Sequence, residues 1–307
     1  MGDVYSHSRL SAFERCPRKF QYRYVWKLPA EGESIEGFVG KRVHEVLERL
    51  HRAAESIGVP SLPKVLWRFQ QMFEEAYDAN RVRIVREGTP LDFYRALGEQ
   101  CLANYYQEHY PFDRDETLAL EERVSFSIGS GASLAQRAQV SRSEPQASED
   151  HQGGERRPSY LMQGFVDRIA RTRDGAIEIQ DYKTSARVPS QADVDEDRQL
   201  ALYQIGVGER FGAKRPVRLV WRYLRQRRTL VSTRTPGQLD ELAAKTRALI
   251  DEIRSETRFE ARPSALCRWC EYREGCPASP ERRADRPAYA PRSLRTREAP
   301  AQLALFA

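Results

Sequence analysis

The sequence lacks three features that would have narrowed its function at once. It has no run of about 18 apolar residues, the length that a membrane-spanning helix needs. Residues 1–10 are polar and lack the apolar core of a signal peptide. No Gly-x4-Gly-Lys-Ser/Thr loop is present to cradle nucleotide phosphates. We therefore expect a cytoplasmic protein that has no contact with membranes and no ATP-driven motor in this chain.

Lysine is also scarce, because only seven of the 50 basic residues are lysine and the others are arginine. Because lysine is scarce, a lysine within a motif is less often there by chance. The formal net charge is +6 and the pI is about 9.1. This modest positive excess fits a polyanionic partner such as DNA without requiring one.

The spacing of apolar residues predicts helices first and a mixture of strands and helices afterwards. Helical periodicity covers residues 35–56, 64–87, 91–109, 195–211 and 236–257, and a short helix starts within 5–16. Alternation typical of strands covers 118–128, 160–171, 176–184, 216–224 and 229–234. This order predicts an α/β (mixed α+β) fold with a mixed central sheet flanked by helices.

Three stretches stand apart from that pattern. Residues 57–117 are helical but carry no motif that we can match. Residues 129–159 are rich in Gly, Ser, Gln, Glu and Arg, which predicts a disordered loop inserted between two strands. Residues 278–307 are rich in Arg and Pro, which predicts a flexible tail. We expect one folded domain over 1–277 that contains both insertions.

The strongest candidate for chemistry is a hairpin around a turn near Asp174. Asp167 and Asp181 are each seven residues from that point, so their carboxylates should face each other across the strand pair. Such carboxylates repel unless a cation lies between them, and oxygen ligands suit Mg²⁺ or Mn²⁺. Lys183 shares the face of Asp181. Two acids, a lysine and a hard metal ion are what phosphodiester hydrolysis needs, although Asp-x-Lys alone more often marks a surface salt bridge.

Other residues are candidates for the same site only in combination with that hairpin. His44 lies one helical turn after Gly40, where a histidine without a function is the simpler interpretation, and His51 competes for the same role. Gln199 and Tyr203 are four residues apart and share one face of a helix, which alone is a weak signal.

Together these motifs resemble a known family. The order Gly-x-x-x-His, Gly-x-x-Asp, Asp-Tyr-Lys-Thr and Gln-x-x-x-Tyr resembles the PD-(D/E)xK nuclease superfamily, and most closely its RecB-type exonucleases and CRISPR adaptation nucleases. The resemblance covers roughly 5–56 and 118–277 and implies a restriction-endonuclease-like fold. It implies metal binding by His44, Asp167 and Asp181, and a catalytic set of Asp167, Asp181 and Lys183. Gln199 and Tyr203 would support the site or contact DNA.

The cysteines form a second constellation, Cys267-x2-Cys270-x5-Cys276. This spacing alone suits zinc, a redox pair or no function, and Cys16 and Cys101 are both candidates for a fourth ligand. The segment that starts Cys16-Pro17, together with the x2 and x5 spacings, resembles the iron–sulfur nucleases of the AddB and CRISPR types. That resemblance implies a [4Fe–4S] cluster on Cys16, Cys267, Cys270 and Cys276, with zinc as the alternative. The cluster would clamp the C-terminal segment to the first helix, and Cys101 would be a small buried apolar residue.

The last residues resemble the peptide by which bacterial replication and repair proteins bind the sliding clamp. Gln302, Leu303, Leu305 and Phe306 carry this resemblance and could fill a groove on that partner. The alternative is a segment that folds back on the core.

These observations predict a Mg²⁺- or Mn²⁺-dependent DNA nuclease, an exonuclease that acts on DNA ends or single strands in repair and recombination. One alternative is a CRISPR adaptation nuclease that processes prespacers. Another is a non-catalytic iron–sulfur DNA-binding subunit of a helicase–nuclease complex. Any helicase would be a separate chain. Aromatic residues beside arginines at 20–26 and 221–223 could stack bases or pack in the core.

Overall fold

The computed structural model describes residues 3–129, 159–211, 215–280, 282 and 288–289. Its strands are β1 (Val4–Tyr5), β2 (Glu33–Ser34), β3 (Val82–Arg83), β4 (Asp115–Ile128), β5 (Tyr160–Thr172), β6 (Ile177–Lys183), β7 (Val217–Tyr223) and β8 (Arg228–Ser232). Its helices are α1 (His7–Arg15), α2 (Pro17–Phe20), α3 (Ile35–Ser56), α4 (Leu62–Ala76), α5 (Leu91–His109), α6 (Gln191–Glu196), α7 (Gln199–Phe211) and α8 (Pro236–Ser255). A π-helical turn covers Gln21–Val25, and a 3₁₀ turn covers Ala265–Trp269.

A mixed sheet of six described strands lies at the centre of the fold. β5 pairs antiparallel with β4 along its length and with β6 near its C-terminal end. β6 pairs parallel with β7, which pairs antiparallel with β8, and β1 adds a short parallel pairing at the start of β5. The predicted α/β architecture, a mixed central sheet flanked by helices, is confirmed.

Two hydrophobic cores lie against this sheet. The first joins the sheet to α1, α7 and α8 and contains Ile179 of β6. The second lies among α3, α4 and α5 and reaches the sheet through Tyr182. Because neighbouring positions of a strand point to opposite faces, β6 is covered on both sides. The Asp181 carboxylate near its C-terminal end is therefore held away from bulk water.

Helix α3 has the predicted bounds, and its sequence explains them. The Ser34 hydroxyl accepts a hydrogen bond from the Gly37 N–H and caps the first turn. The buried stripe is Val39, Val43, Val46, Leu47 and Leu50, none more than 2% exposed. Burial of each of these side chains contributes roughly 1.5–3 kcal/mol. The stripe fixes the rotation of α3 and therefore the direction of its other faces.

Two predicted helices differ from the structure. The helix predicted over 64–87 ends at Ala76, and β3 follows it and pairs with β2. The helix predicted over 195–211 is divided into α6 and α7. The Asp197 carboxylate accepts a hydrogen bond of 2.7 Å from the Gln199 N–H and so caps α7. Apolar periodicity continues across such a break and does not reveal it.

Several predictions fall on residues outside the described part of the chain. Residues 130–158, which make up nearly all of the predicted disordered insertion, are among them, and so are Gln302, Leu303, Leu305 and Phe306. The insertion, the tail and the domain boundary at residue 277 stay predictions. No helix among the described residues is long and apolar enough to cross a membrane.

Candidate active site

The hairpin of β5 and β6 brings its two aspartates to the same level. Arg168 pairs with Gln180, so the next step of the same register sets Asp167 opposite Asp181. The turn closes through a hydrogen bond from the Gly175 N–H to the Thr172 carbonyl, and Gly175 has a φ of +83°. The Asp167 carboxylate accepts a hydrogen bond of 2.7 Å from the Tyr182 N–H. This bond fixes one Asp167 oxygen and leaves the other for a cation.

His44 reaches the hairpin from α3. Its Nδ1 lies 3.4 Å from an Asp167 oxygen, and its Nε2 lies 2.9 Å from the Tyr182 carbonyl. An Nε2–H that donates to this carbonyl leaves Nδ1 as the atom that can bind a metal ion, an orientation typical of metal-ligating histidines. The competing His51 is buried, and its Nε2 lies 2.7 Å from the Tyr105 hydroxyl in the helical core. The structure therefore favours His44 over His51.

Glu121 is the member of the site that the sequence did not reveal. Ligand atoms of His44, Glu121 and Asp167 all lie within 4.8 Å of one another, which is close enough for one metal ion to contact all three. Glu121 follows a bulge in β4 between Thr117 and Ala119, and the shifted register sets it opposite Asp167. Without the bulge, Leu120 would take that position. The sequence shows two consecutive glutamates in this strand, Glu121 and Glu122, and strand alternation alone does not predict which of them faces the hairpin.

Asp181, Lys183 and Gln199 form a closed set beside that group. The Lys183 ammonium lies 2.6 Å from one Asp181 oxygen, and the Gln199 amide donates to the other at 2.9 Å. Lys183 also donates to the Gln199 carbonyl oxygen at 3.2 Å. Thus two of the three predicted metal ligands converge with Glu121, whereas Asp181 pairs with Lys183 and Gln199.

The pKa values of this site reflect crowded negative charge. Burial, and then repulsion from Asp167, raise the pKa of Glu121 to about 7. Burial alone would lower the pKa of His44, but its contact with Asp167 outweighs that effect and raises it to about 9. Burial also raises the pKa of Asp181, against the opposing effect of Lys183. A divalent cation would neutralise the repulsion between these carboxylates. Such a cluster of buried negative charge is typical of a metal site.

Tyr203, the last predicted member, packs behind the hairpin. It lies one turn after Gln199 on α7 and is 7% exposed. Its ring occupies the space where Gly164 has no side chain, and a methyl group at Gly164 would overlap the ring. Burial raises the pKa of Tyr203 to about 12, so it stays a neutral phenol. Tyr203 thus fixes α7, and with it Gln199, against β5.

A model of the PD-(D/E)XK nuclease superfamily matches residues 4–277. The chain belongs to this superfamily. Its members are nucleases that use divalent metal ions, so membership implies a metal-dependent nuclease.

Comparisons of this PD-(D/E)XK nuclease with solved structures and with curated proteins show only remote similarity or none. One solved structure, described as "Crystal structure of SSO0001", covers 91% of this chain and 88% of that chain at 12% sequence identity, with a TM-score of 0.36. A search of the curated proteins finds no match.

The nuclease has a second group of side chains, the cysteine site (Cys16, Cys267, Cys270 and Cys276). All four line one cavity of about 160 Å³. Cys16 lies between α1 and α2, and the other three lie in the 3₁₀ turn and the loop after it. Within the described residues, no three of these thiols come within 4.8 Å of one another. Cys101 is fully buried in the helical core, as predicted.

Contacts around the cysteine site join segments that are distant in sequence. Lys19 forms an ion pair of 2.7 Å with Glu271, and the Tyr272 hydroxyl donates to the Leu28 carbonyl at 3.1 Å. The Arg262 N–H lies 3.5 Å from the Cys16 sulfur. The segment after α8 is therefore packed against α2 and the π-helical turn.

The aromatic residues that the sequence offered for base stacking are mostly in the core. Phe20, Tyr22 and Trp221 are each 1% exposed, and Tyr223 is 6% exposed. These rings pack inside the protein, so a base-stacking surface of the nuclease has to be sought elsewhere.

Proposed function

We propose that this protein is a Mg²⁺- or Mn²⁺-dependent deoxyribonuclease that removes nucleotides from DNA ends or single strands. The observation that carries this proposal is the convergence of His44, Glu121 and Asp167 beside the Asp181–Lys183 pair. We name these five residues the acidic centre. Membership of the superfamily supplies the reaction class, and the acidic centre supplies the residues.

The acidic centre has the donors that a hard cation needs. Carboxylate oxygens from Glu121 and Asp167 suit Mg²⁺ and Mn²⁺, and the His44 nitrogen favours Mn²⁺. Asp181 lies opposite Asp167 in the strand register and would be a fourth donor once a metal ion competes with its contacts to Lys183 and Gln199. A bound metal ion supplies an activated water and polarises a phosphoryl oxygen. The protein residues orient the reacting groups around it.

Lys183 and Gln199 perform the remaining tasks. Lys183 is half-buried beside Asp181, and this carboxylate raises the pKa of its ammonium despite the opposing effect of burial. It stays protonated and stabilises negative charge that develops on the scissile phosphate. Gln199 bonds to both Asp181 and Lys183 and holds their side chains in one arrangement. The Tyr182 carbonyl and N–H orient His44 and Asp167.

We also propose a [4Fe–4S] cluster at the cysteine site. Four thiols around one cavity of about 160 Å³ match the ligand number of such a cluster. A single zinc ion with Zn–S bonds of about 2.3 Å would hold sulfurs about 3.8 Å apart, and the thiols here are more widely spread. Iron without zinc in purified protein, with absorbance near roughly 400 nm, is the expected result. Zinc without iron would contradict it.

A role in DNA repair, with a separate helicase and a sliding clamp as partners, completes the proposal. Its support is the resemblance of residues 302–306 to clamp-binding peptides and the absence of a phosphate-binding motor loop. Deletion of residues 302–307 should abolish capture of the protein by the sliding clamp. Unchanged capture would contradict this part alone.

The direct test of the nuclease is cleavage of single- and double-stranded DNA with Mn²⁺. Lys183→Ala should lower the rate at least about 100-fold, because it removes charge stabilisation at the reacting phosphate. Lys245→Ala is the matched control, since Lys245 is exposed and pairs with Glu241 on α8. Equal rates for wild type and Lys183→Ala would contradict the assigned site.

A further inference from the structure

A pocket of about 290 Å³ lies beside the acidic centre. It is lined by Thr184 and Ser185, which directly follow Lys183, and by Gly37 in the first turn of α3. Gly37 precedes His44 by seven residues, which is about 10 Å along a helix. A nucleic-acid strand advances at least about 3.4 Å per nucleotide and covers this distance in about three nucleotides or fewer. The pocket is therefore within reach of the strand that the acidic centre would cleave.

The pocket presents an exposed aromatic ring. Phe93, at the start of α5, is 42% exposed although it is a large apolar side chain. Its ring packs edge-on against Tyr94 with centroids 5.3 Å apart, and Tyr94 is 2% exposed. Phe93 is thus supported by a buried ring and lines the pocket with much of its own surface exposed. Such a ring is a surface on which an unpaired base can stack.

Two arginines add positive charge to the same pocket. Arg86 and Arg225 line it from the segment before α5 and from the turn after β7. Within the described part of the chain, neither has a carboxylate within salt-bridge distance, whereas Arg168, Arg171 and Arg218 each have one. Glu36 also lines the pocket and can accept a hydrogen bond from a base amino group.

We propose that this pocket binds a nucleobase of the substrate strand, within about three nucleotides of the cleaved bond. Phe93 stacks on the base, and Arg86 and Arg225 contact the flanking phosphates. The inference rests on the proposed nuclease function and adds a preference to it. A base has to be unpaired to enter the pocket, so the enzyme should favour single strands or frayed ends over an intact duplex.

Binding of labelled single-stranded oligonucleotides tests this proposal. Fluorescence anisotropy without added divalent metal would compare an intact strand with strands that carry one abasic position, moved along the chain. The wild type should bind about 5- to 100-fold more weakly when the abasic position falls in the pocket. Phe93→Ala should bind the intact strand about that much more weakly and lose its sensitivity to the abasic position. Phe93→Tyr should behave as the wild type.

The matched control is Trp67→Ala. Trp67 is an exposed aromatic residue of α4, 55% exposed, and it lines a different groove between α3 and α4. The Trp67→Ala variant should bind the intact strand and the abasic strands as the wild type does. If Trp67→Ala loses the sensitivity instead, or if Phe93→Ala keeps it, the proposal is overturned. A wild type that discriminates but does not cleave with Mn²⁺ contradicts the nuclease function and supports the pocket. Cleavage without discrimination does the reverse.

Discussion

The acidic centre and the cysteine site are built from the chain in different ways. Most of the acidic centre lies on paired strands of one sheet, with His44 added from α3, and its carboxylates are fixed by regular hydrogen bonding. The cysteine site joins Cys16 to residues about 250 positions later, in segments with little regular structure. The first site is formed by the fold, and we propose that the second holds parts of the fold together.

This difference predicts opposite responses to the loss of a ligand. The acidic centre concentrates negative charge in a preformed place, so removal of a carboxylate relieves repulsion while it removes activity. With the proposed cluster bound, the cysteine site would close a long loop, so removal of a thiolate should lower stability.

The largest expected effect is on activity at the acidic centre. Asp167→Asn should lower the cleavage rate at least about 100-fold, since it removes a charged metal ligand. It should change the melting temperature little, because the loss of the ion pair with His44 is offset by the relief of repulsion on Glu121, and an amide oxygen can still accept from the Tyr182 N–H. Cleavage and thermal unfolding of the same preparation measure both. A lower melting temperature would show that Asp167 is structural.

The next effect is on stability at the cysteine site. Cys270→Ser should remove bound iron and lower the free energy of unfolding by about 4–5 kcal/mol, by analogy with a cross-link that closes a long loop. Cys101→Ala is the matched control and should keep the iron, because Cys101 lies in the helical core. Iron analysis and denaturant unfolding distinguish them. Cys270→Ser protein with full iron and unchanged stability would refute the clamp.

A smaller effect concerns pH in the metal-free protein. The fold raises the pKa of Glu121 from 4.5 to about 7 and that of His44 from 6.5 to about 9. Each group contributes its full share to the free energy of unfolding at pH values below its ordinary pKa. That contribution is lost as the pH rises through the raised pKa of the folded protein. Without metal, stability should therefore fall by about 1–3 kcal/mol from pH 5 to 8 through Glu121.

Glu121→Gln should remove this decline and leave the one that His44 contributes at higher pH, and thermal unfolding from pH 5 to 9 measures both. Stabilisation by Mn²⁺ should grow with pH, because both ligands have to lose a proton before they bind. A variant whose pH profile matches the wild type would contradict the assignment of Glu121.

The smallest effect concerns a contact between the two regions. Arg198, just before Gln199, donates to Glu14 at 2.8 Å and to Ser11 at 3.3 Å on α1, and Cys16 follows that helix. Arg198→Ala should lower the cleavage rate about two- to fivefold, in line with a partly exposed ion pair. Arg198→Lys should recover part of the loss. An effect as large as that of Asp167→Asn would mean that the two regions are one unit.

The sequence predicted what depends on local geometry. Counting from the turn placed Asp167 opposite Asp181, and strand alternation placed Asp181 and Lys183 on one face, where Gln199 now bonds to both. Glu121 could not be predicted, because a single bulged residue decides which side chain faces Asp167. The pocket at Phe93 depends on how α5 packs beside α3, which is a long-range contact. The break at Asp197 depends on one capping carboxylate.

The central claim is that His44, Glu121 and Asp167 bind one metal ion. Isothermal titration calorimetry with Mn²⁺ tests this claim most directly. The wild type should bind with an affinity that Glu121→Gln weakens at least about tenfold, since one of three converging ligands loses its charge. Glu116→Gln is the control, because Glu116 is on the same strand but pairs with Arg171 at the surface. Equal weakening by both variants, or by neither, would contradict a metal centre formed by His44, Glu121 and Asp167.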